Sequence, residues 1–494
     1  MNYVSTRGID NEGVSSAYAI KTGLAKDGGL YMPESIPTLS EAELKELIAL
    51  PYPRRAAAIL SKFLTDYTYE ELLEDAEGAY SAAKFGDTPA PLTSLGGGIH
   101  MLELWHGPTS AFKDMALQIM PRLFVRALRK CGEKRCAMIL VATSGDTGKA
   151  ALEGYRDVEG TKIKVFYPED GVSRVQKMQM QTQEGENVSV SGIRGNFDDA
   201  QSGVKRIFAD DKMRELLDGE GVFLSSANSI NWGRLVPQIV YYVSAYCDLV
   251  GCGEIKMGER IDVCVPTGNF GNIFACYIAK LMGLPVEKLV CASNVNNVLT
   301  DFLRSGVYDR NRKFHATMSP SMDILISSNL ERLLYVTLGA DKTRSYMQSL
   351  ADSGRYELSA EDFARISESF VGYSTDERET AETIKRIYEN KNCLIDTHTA
   401  VAIHATEAYI DDYKAERKIV AASTASPYKF ARDVYKSLTG KDASGDLEAL
   451  GELKELTGVD IPTPLSSVLT KEIRHTGIID KCDMESATLA FARN

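Results

Sequence analysis

Short apolar runs that alternate with Gly-rich turns and helical stretches begin near residue 100, and this pattern constrains the fold most. Strands that alternate with helices predict a parallel, layered α/β architecture. In such sheets ligands bind at the carboxyl ends of the strands, which is where the Gly-rich turns fall. The predicted strands are Ala137–Thr143, Ile163–Tyr167, Ile261–Thr267, Leu289–Ala292 and Ile419–Ala422. The predicted helices among them are Met115–Leu128, Lys149–Tyr155, Leu235–Leu249 and Ile273–Met282, and the polar stretch Gly372–Thr380 predicts a solvated loop.

The region before residue 96 differs, because its two periodic stretches have helical spacing. Apolar residues recur at helical spacing in Leu39–Leu50 and in Arg54–Tyr69. Thr38–Glu41 supplies an N-cap for the first of these helices, and the glycines of Gly96–Gly98 mark the end of the unit. We therefore expect a mostly helical N-terminal domain over residues 1–95.

Composition excludes several classes of protein. The chain has 494 residues, of which 44% are apolar and 25% charged, as in soluble globular proteins. Acidic residues outnumber basic ones, 68 to 56, and no long basic run interrupts the formal net charge of −12. No nucleic-acid partner is expected, because such proteins present a basic face. No apolar run approaches the ~18–20 residues that span a bilayer, so no membrane association is expected.

The cysteines predict a reducing environment. There are nine, from Cys131 to Cys482, and they form no C-x-x-C pair. An odd number of scattered cysteines in a long chain is typical of reduced thiols in a cytoplasmic protein. Their spacings match no standard zinc motif, so no metal site is expected. The first residues, Met1–Gly8, lack the apolar core of a secretion signal.

The segment Val265–Asn272 follows a predicted strand and opens a predicted helix. Gly268 and Gly271 allow backbone N–H groups to converge without obstruction by a Cβ atom, and the helix N-terminus adds partial positive charge. These features predict a phosphate cradle, although an ordinary strand-to-helix turn has the same pattern. The segment lacks the third glycine of the G-x-G-x-x-G dinucleotide fingerprint.

A second segment, Thr143–Ala150, concentrates hydroxyl groups at another predicted helix start. It is not a P-loop, which requires glycine at position 143 and a hydroxyl side chain at position 150. The hydroxyls and backbone amides suit a carboxylate or a phosphate. The alternative is that Ser144 or Thr147 only caps the helix.

A third segment, His106–Asp114, delivers Lys113 to the start of the helix Met115–Leu128. The helix dipole disfavours an ammonium group there, so the pKa of Lys113 should fall. A lysine of lowered pKa is what Schiff-base chemistry requires, and a solvated lysine is the alternative. His106 is expected to be packed and hydrogen-bonded.

A fourth segment, Ser226–Arg234, offers amide, hydroxyl and guanidinium groups with no acid among them. The guanidinium of Arg234 can hold a phosphate through two hydrogen bonds. The alternative is a polar turn before the helix Leu235–Leu249.

In their order along the chain, these segments resemble the threonine synthases, pyridoxal-phosphate enzymes of the tryptophan-synthase-β-like fold (fold type II). The resemblance covers most of the chain and matches the branch with a long N-terminal unit found in many bacteria and fungi. The segments that carry it are Ser5–Arg7, Asp27–Leu30, His106–Thr109, Phe112–Asp114, Ala142–Gly148, Asn228–Asn231, Arg234, Gly268–Gly271, Ser319–Ile324, His398–Val401 and Ser423–Ala425.

The resemblance implies two layered α/β domains with pyridoxal phosphate in the cleft between them, besides the helical N-terminal domain. The large cofactor-binding domain is then expected over residues 96–130 and 236–494. The small domain is expected over residues 131–235.

The resemblance also implies roles for single residues. Lys113 would link covalently to the cofactor and act as the catalytic base, and Thr424 would face the pyridine nitrogen. The residues expected to hold the cofactor are Gly268, Asn269, Phe270, Gly271 and Asn272, with Asp146 at its edge. Those expected at the substrate carboxylate are Thr143, Ser144, Gly145, Asp146 and Thr147, and those at the substrate phosphate are Asn228, Ser229, Arg234 and Asn272.

Two positions depart from related sequences. Related fold-type-II enzymes often carry Asn where this chain has Asp146, and the threonine synthase family often has His where this chain has Ser426. No role of that histidine is therefore carried over.

The activity implied is conversion of O-phospho-L-homoserine and water to L-threonine and phosphate, by a monomer or homodimer. Alternatives of the same fold are a threonine-synthase-like phospholyase and a serine/threonine dehydratase. A non-catalytic binding protein on this fold should lack the lysine or the phosphate loop, and both are present.

Overall fold

The computed structural model describes residues 1–9, 12–143, 145–170 and 172–494. Its strands lie in two large sheets and two small antiparallel pairs. In chain order the strands are β1 (Tyr3–Ser5), β2 (Tyr31–Pro33), β3 (Leu92–Gly96), β4 (Ile99–Glu103), β5 (Cys136–Ala142), β6 (Thr161–Pro168), β7 (Val188–Arg194), β8 (Val222–Ser225), β9 (Ile261–Pro266), β10 (Val286–Ser293), β11 (Val307–Asp309), β12 (Arg355–Glu357), β13 (Phe370–Ser374), β14 (Ile419–Ser423) and β15 (Ile478–Asp480).

Helices cover both faces of the large sheets and form most of the N-terminal region. In chain order they are α1 (Ser16–Thr22), α2 (Glu41–Ile48), α3 (Tyr52–Phe63), α4 (Tyr69–Ala79), α5 (Ala82–Phe85), α6 (Asp114–Leu117), α7 (Met120–Lys130), α8 (Asp146–Tyr155), α9 (Arg174–Gln181), α10 (Phe197–Ala209), α11 (Asp211–Gly219), α12 (Trp232–Gly251), α13 (Gly271–Met282), α14 (Val298–Ser305), α15 (Leu330–Leu338), α16 (Ala340–Ser353), α17 (Ala360–Ser367), α18 (Glu377–Lys391), α19 (Thr397–Tyr413), α20 (Ala431–Thr439), α21 (Glu448–Thr457), α22 (Thr463–Ser466) and α23 (Met484–Arg493).

The larger sheet has six strands in the order β13-β10-β9-β14-β4-β3. All neighbours are parallel except β3, which pairs antiparallel with β4 at one edge. Every residue of β9 and β14 is buried, because α13 and α19 pack against this sheet. Burial on both faces explains why these strands are continuous apolar runs.

The smaller sheet has five parallel strands in the order β15-β7-β6-β5-β8. The predicted α/β fold class with layered parallel sheets is confirmed. The sheets cross the predicted domain boundaries at two places. The last strand, within the predicted large domain, pairs with β7 of the smaller sheet, and β3, at the end of the predicted N-terminal domain, belongs to the larger sheet.

The N-terminal helices share a core with the rest of the chain. Ser40 and Glu43 form the capping box that starts α2, which confirms the predicted cap. The indole ring of Trp232 on α12 lies 5.6 Å from the ring of Tyr3 and 5.8 Å from that of Phe63. The start of α12 is therefore fixed by the N-terminal region.

The five predicted strands are confirmed within one to three residues at each end. The predicted helix Met115–Leu128 is broken, because α6 ends at Leu117 and α7 starts at Met120 with Pro121 in its first turn. The predicted loop Gly372–Thr380 is wrong. Its first residues belong to the buried strand β13, where Gly372 packs so closely on α14 that a Cβ atom would lie 2.9 Å from the Cα atom of Thr300.

Within the described ranges, no helix combines the length and the apolar character needed to cross a bilayer.

Candidate active site

Lys113 lies between β4 and α6, at the carboxyl end of the larger sheet. The backbone N–H of Phe112 donates to the carbonyl of Thr424 at 2.8 Å, so the end of β14 holds the lysine segment. The carboxylate of Asp114 accepts from the backbone N–H and the hydroxyl of Thr109 at 2.8 and 2.7 Å. The structure therefore places the segment that carries Lys113 next to Thr424.

The ε-amine of Lys113 faces the start of α8. Its Nζ atom lies 3.2 Å from Oδ2 of Asp146 and 3.3 Å from Oγ of Ser321. Burial lowers the pKa of Lys113, and the charge of Asp146 opposes that shift. The lowered pKa agrees with the sequence prediction, but its main cause is burial and not the dipole of a helix, and α6 has only four residues.

Asp146 binds a second lysine that the sequence analysis missed. Its Oδ1 atom lies 2.7 Å from Nζ of Lys429 and accepts from Nε2 of Gln176 at 2.9 Å. Burial on its own would raise the pKa of Asp146, but the charges of Lys113 and Lys429 outweigh burial and hold that pKa well below its ordinary value. Lys429 is fully buried, and its only sequence signal is a lysine between two aromatic residues.

Thr143 organises the turn before α8. Its Oγ1 atom accepts from the backbone N–H groups of Gly145 and Gly148 at 3.0 and 2.9 Å, and Gly145 has a φ of 139°. Ser144, predicted at the substrate carboxylate, lies outside the described residues, and Thr147 is half-buried on the first turn of the helix. The turn is thus closed by Thr143, which was predicted as a ligand-binding residue.

The Gly268 loop approaches Ser321 too closely for any side chain at position 268. A Cβ atom on Gly268 would lie 2.6 Å from the carbonyl oxygen of Ser321. Phe270 precedes α13 in the left-handed conformation, with a φ of 62°. The side chain of Asn269 is exposed, and its carbonyl accepts two hydrogen bonds from Asn329, both at 3.0 Å. The loop is therefore fixed with its backbone against the Lys113 region.

Arg234 and Asn272 present buried donors without acceptors. One guanidinium nitrogen of Arg234 donates to the carbonyl of Ala227 at 2.6 Å, whereas its Nε atom and Nδ2 of Asn272 have no partner among the described residues. The amide oxygen of Asn272 accepts from the hydroxyls of Tyr241 and Tyr242, both at 2.6 Å, which directs its NH₂ group away from them. Burial lowers the pKa of Arg234 to about 10.

This arrangement is suited to an anion, because buried donors without acceptors are costly unless a ligand supplies the acceptor. No carboxylate in the described part of the chain pairs with Arg234. Of the other residues predicted at the substrate phosphate, Asn228 and Ser229 are half-buried. Ser229 is 3.4 Å from the hydroxyl of Ser328.

The sequence analysis also missed a buried hydrogen-bond network behind Ser321. The backbone N–H of Ser321 donates to Nε2 of His398 at 3.1 Å, and Nδ1 of His398 lies 2.8 Å from the carboxylate of Asp396. This pairing requires the proton on Nδ1. The segments Ser319–Ile324 and His398–Val401 were both noted in the sequence, but nothing in the sequence showed that they contact each other.

Ser426, where the family often has His, has a local role. Its hydroxyl accepts from the backbone N–H of Tyr428 at 3.3 Å, and its own N–H donates to the carbonyl of Ser110 at 3.1 Å. It thereby starts the short 3₁₀ helix Pro427–Phe430, which carries Lys429.

A buried lysine of lowered pKa, a glycine loop at a helix start and unpaired buried donors fit the aldehyde, phosphate and anionic substrate of a pyridoxal-phosphate enzyme. The fold and this site define a pyridoxal-phosphate-dependent enzyme of fold type II. A family model for that class, "Pyridoxal-phosphate dependent enzyme", matches residues 84–425, and the cofactor is pyridoxal phosphate. Models for the threonine synthase N terminus and the threonine synthase C-terminal region match residues 2–80 and 399–477. The chain belongs to the threonine synthase family.

Known proteins agree with this assignment. Threonine synthase of Pseudomonas aeruginosa is 38% identical over 89% of this chain and 91% of that protein, and that of Saccharomyces cerevisiae is 36% identical over 98% and 96%. The crystal structure of PLP-bound threonine synthase from Brucella melitensis superimposes with a TM-score of 0.88 at 35% identity, covering all of both chains.

Other relatives are longer than this chain. Human threonine synthase-like 1 is 41% identical over 89% of this chain, and the match spans 60% of that protein.

Proposed function

We propose that the protein is a threonine synthase that converts O-phospho-L-homoserine and water to L-threonine and phosphate. The observation that carries this proposal is the pair of buried, unpaired donors on Arg234 and Asn272 near a lysine of lowered pKa. A substrate with a phosphate group supplies the acceptors that these donors lack. A plain dehydratase substrate has no phosphate, so it would leave the Nε atom of Arg234 unsatisfied.

Pyridoxal phosphate supplies an aldehyde for covalent attachment of amines and a ring that accepts electrons from the substrate carbanion. Residues of this chain fit that group. Lys113 provides the amine, the Gly268–Asn272 loop the phosphate site, and Thr424 a buried hydroxyl beside the lysine segment. Asp146 holds Lys113 at its Oδ2 atom from the side of the smaller sheet.

Lys113 is also the group suited to move protons. With the cofactor bound, the free amine of Lys113 would remove the α-proton of the substrate and shuttle protons at its β-carbon. Ser321, whose hydroxyl lies 3.3 Å from Nζ of Lys113, orients that amine. Arg234 and Asn272 bind the phosphate group until it leaves.

The test is to mix the protein with pyridoxal phosphate and O-phospho-L-homoserine and to measure phosphate and threonine together. Equal amounts of both are expected. Phosphate with a keto acid in place of threonine would show the phospholyase alternative instead. Lys113→Ala should abolish turnover and the visible absorbance of the bound cofactor, and a variant that keeps both would contradict the assignment.

A cytoplasmic location and a monomeric or homodimeric state belong to the same proposal. All nine cysteines are free, which supports a reducing compartment.

A further inference from the structure

The carboxylate of Asp146 is divided between two lysines. Its Oδ2 atom lies 3.2 Å from Nζ of Lys113, and its Oδ1 atom lies 2.7 Å from Nζ of Lys429. The side chain of Lys429 has no exposed surface, and its Nζ atom also donates to the carbonyl of Thr109 at 2.9 Å. The ammonium group of Lys429 is therefore held between the carboxylate of Asp146 and the carbonyl of Thr109, away from solvent.

When a buried carboxylate has a single lysine as its partner, that lysine is retained as an ammonium ion, because the negative charge favours the charged form of the amine. An ammonium nitrogen has no lone pair and cannot attack a carbonyl carbon. A second ammonium group on the same carboxylate weakens its hold on the proton of Lys113 and repels the charged form directly. The site thus contains a carboxylate that orients Lys113 and a cation that offsets its charge.

We propose that Lys429 is a positioning residue that binds Oδ1 of Asp146 and thereby leaves Lys113 as a free amine. This inference rests on the proposed role of Lys113 as the covalent anchor. In that step the amine would attack the aldehyde carbon of the cofactor, both of its N–H protons would pass to the carbonyl oxygen, and that oxygen would leave as water as the C=N bond forms. Lys429 lies on the short 3₁₀ helix that comes after β14 and Thr424, so one segment supplies both Thr424 and the offsetting charge.

The test is competitive acetylation of the cofactor-free, full-length protein with trace acetic anhydride across a range of pH, read by mass spectrometry at Lys113. Lys429→Met should raise the midpoint pH of Lys113 labelling by about one unit. At a pH below both midpoints, Lys113 should then be labelled about tenfold less in the variant than in the unchanged protein. Lys429→Arg keeps the charge and should restore the midpoint. Asp146→Asn should shift the midpoint in the opposite direction, because it removes the carboxylate that favours the ammonium ion.

Lys149→Met is the matched control. Lys149 is also buried and lies on α8, but its Nζ atom pairs with Glu153 at 3.3 Å, so its loss should leave the Lys113 midpoint unchanged. An unchanged midpoint in folded Lys429→Met, or an equal shift in Lys149→Met, would overturn the proposal. If Lys429→Met does not fold, the Asp146→Asn variant provides the deciding measurement. An unshifted Lys113 midpoint in Asp146→Asn would overturn the proposal. The measurement uses neither substrate nor turnover, so failure of the threonine assay would leave its result interpretable.

Discussion

Arg234 shows how a single residue can be unfavourable for folding and favourable for binding. The residue is 4% exposed, and one nitrogen of its guanidinium donates to a backbone carbonyl while another has no partner among the described residues. Burial of an unpaired charge costs free energy. Such a residue is typical of a binding site, where activity is retained at the expense of stability.

Arg234→Met should therefore have opposite effects on stability and binding. We expect KM for O-phospho-L-homoserine to rise ~10–100-fold, as for loss of a hydrogen bond to a charged group. The melting temperature of the ligand-free protein should rise, because the unpaired charge is removed. Steady-state kinetics and thermal unfolding measure the two effects.

Arg332→Met is the matched control for that experiment. Burial lowers the pKa of Arg332 to about 9, but its guanidinium donates to the carbonyls of Tyr31 and Ile230 at 3.2 and 2.6 Å and to the side chain of Asn329. Its loss removes these hydrogen bonds from the buried core, so the melting temperature should fall. A fall of the same size in Arg234→Met, with KM unchanged, would contradict the assignment of Arg234 to the anion site.

At the scale of elements, the packing of α8 on α6 sets the distance between Asp146 and Lys113. Gly154 on α8 faces the carbonyl of Leu117 at the end of α6, and a Cβ atom at position 154 would overlap that backbone oxygen. The glycine is needed here because two backbones approach closely. This contact holds the first residue of α8 near the lysine that precedes α6.

Gly154→Ala should force α8 away from α6. We expect a loss of about 1–3 kcal/mol in the free energy of unfolding, as for overpacked sites, together with weaker cofactor binding. Gly451→Ala on α21 is the control, because no described heavy atom outside its own helix lies within 4 Å of a Cβ there. That change should stabilise by about 0.5–1 kcal/mol. Urea unfolding and cofactor titration measure the two effects. Equal stability and equal cofactor affinity in the two variants would contradict the close packing of α8 on α6.

The elements also show what local sequence can predict. β9 and β14 were predicted because strands buried on both faces are continuous apolar runs. β13 was not, because it contains a small glycine and polar serine, and its burial depends on the neighbouring strand β10 and on α14, α17 and α19. The break between α6 and α7 depends on Pro121, which lies in the first turn of α7. The sequence alone does not show that a new helix starts at this proline.

At the scale of the molecule, the end of the chain returns to the smaller sheet. β15 pairs with β7, and α23 packs on α10 and α11. Met484 at the start of α23 is 1% exposed in an apolar cluster with residues of the smaller sheet and its helices. The last residues therefore complete the core of a unit whose other strands lie in the first half of the chain.

Met484→Ala should weaken the smaller sheet selectively. Truncation of a buried Met costs ~2–5 kcal/mol, and hydrogen exchange should increase in β7 and α10 more than in β9. Leu469→Ala is the control, since Leu469 is 45% exposed and its truncation should change little. Equal loss of protection in β9 would show that the two sheets unfold as one unit.

The sequence by itself determined the order of strands and Gly-rich turns, the helix caps, the family, and the lysine and arginine that define the site. These follow from periodicity, backbone freedom and short motifs, which are properties of neighbouring residues. Tertiary structure alone placed Lys429 on Asp146 and the Asp396–His398 pair behind Ser321. Lys429 and Asp146 are far apart in the chain, as are His398 and Ser321, and each pair meets only because tertiary packing brings its segments together.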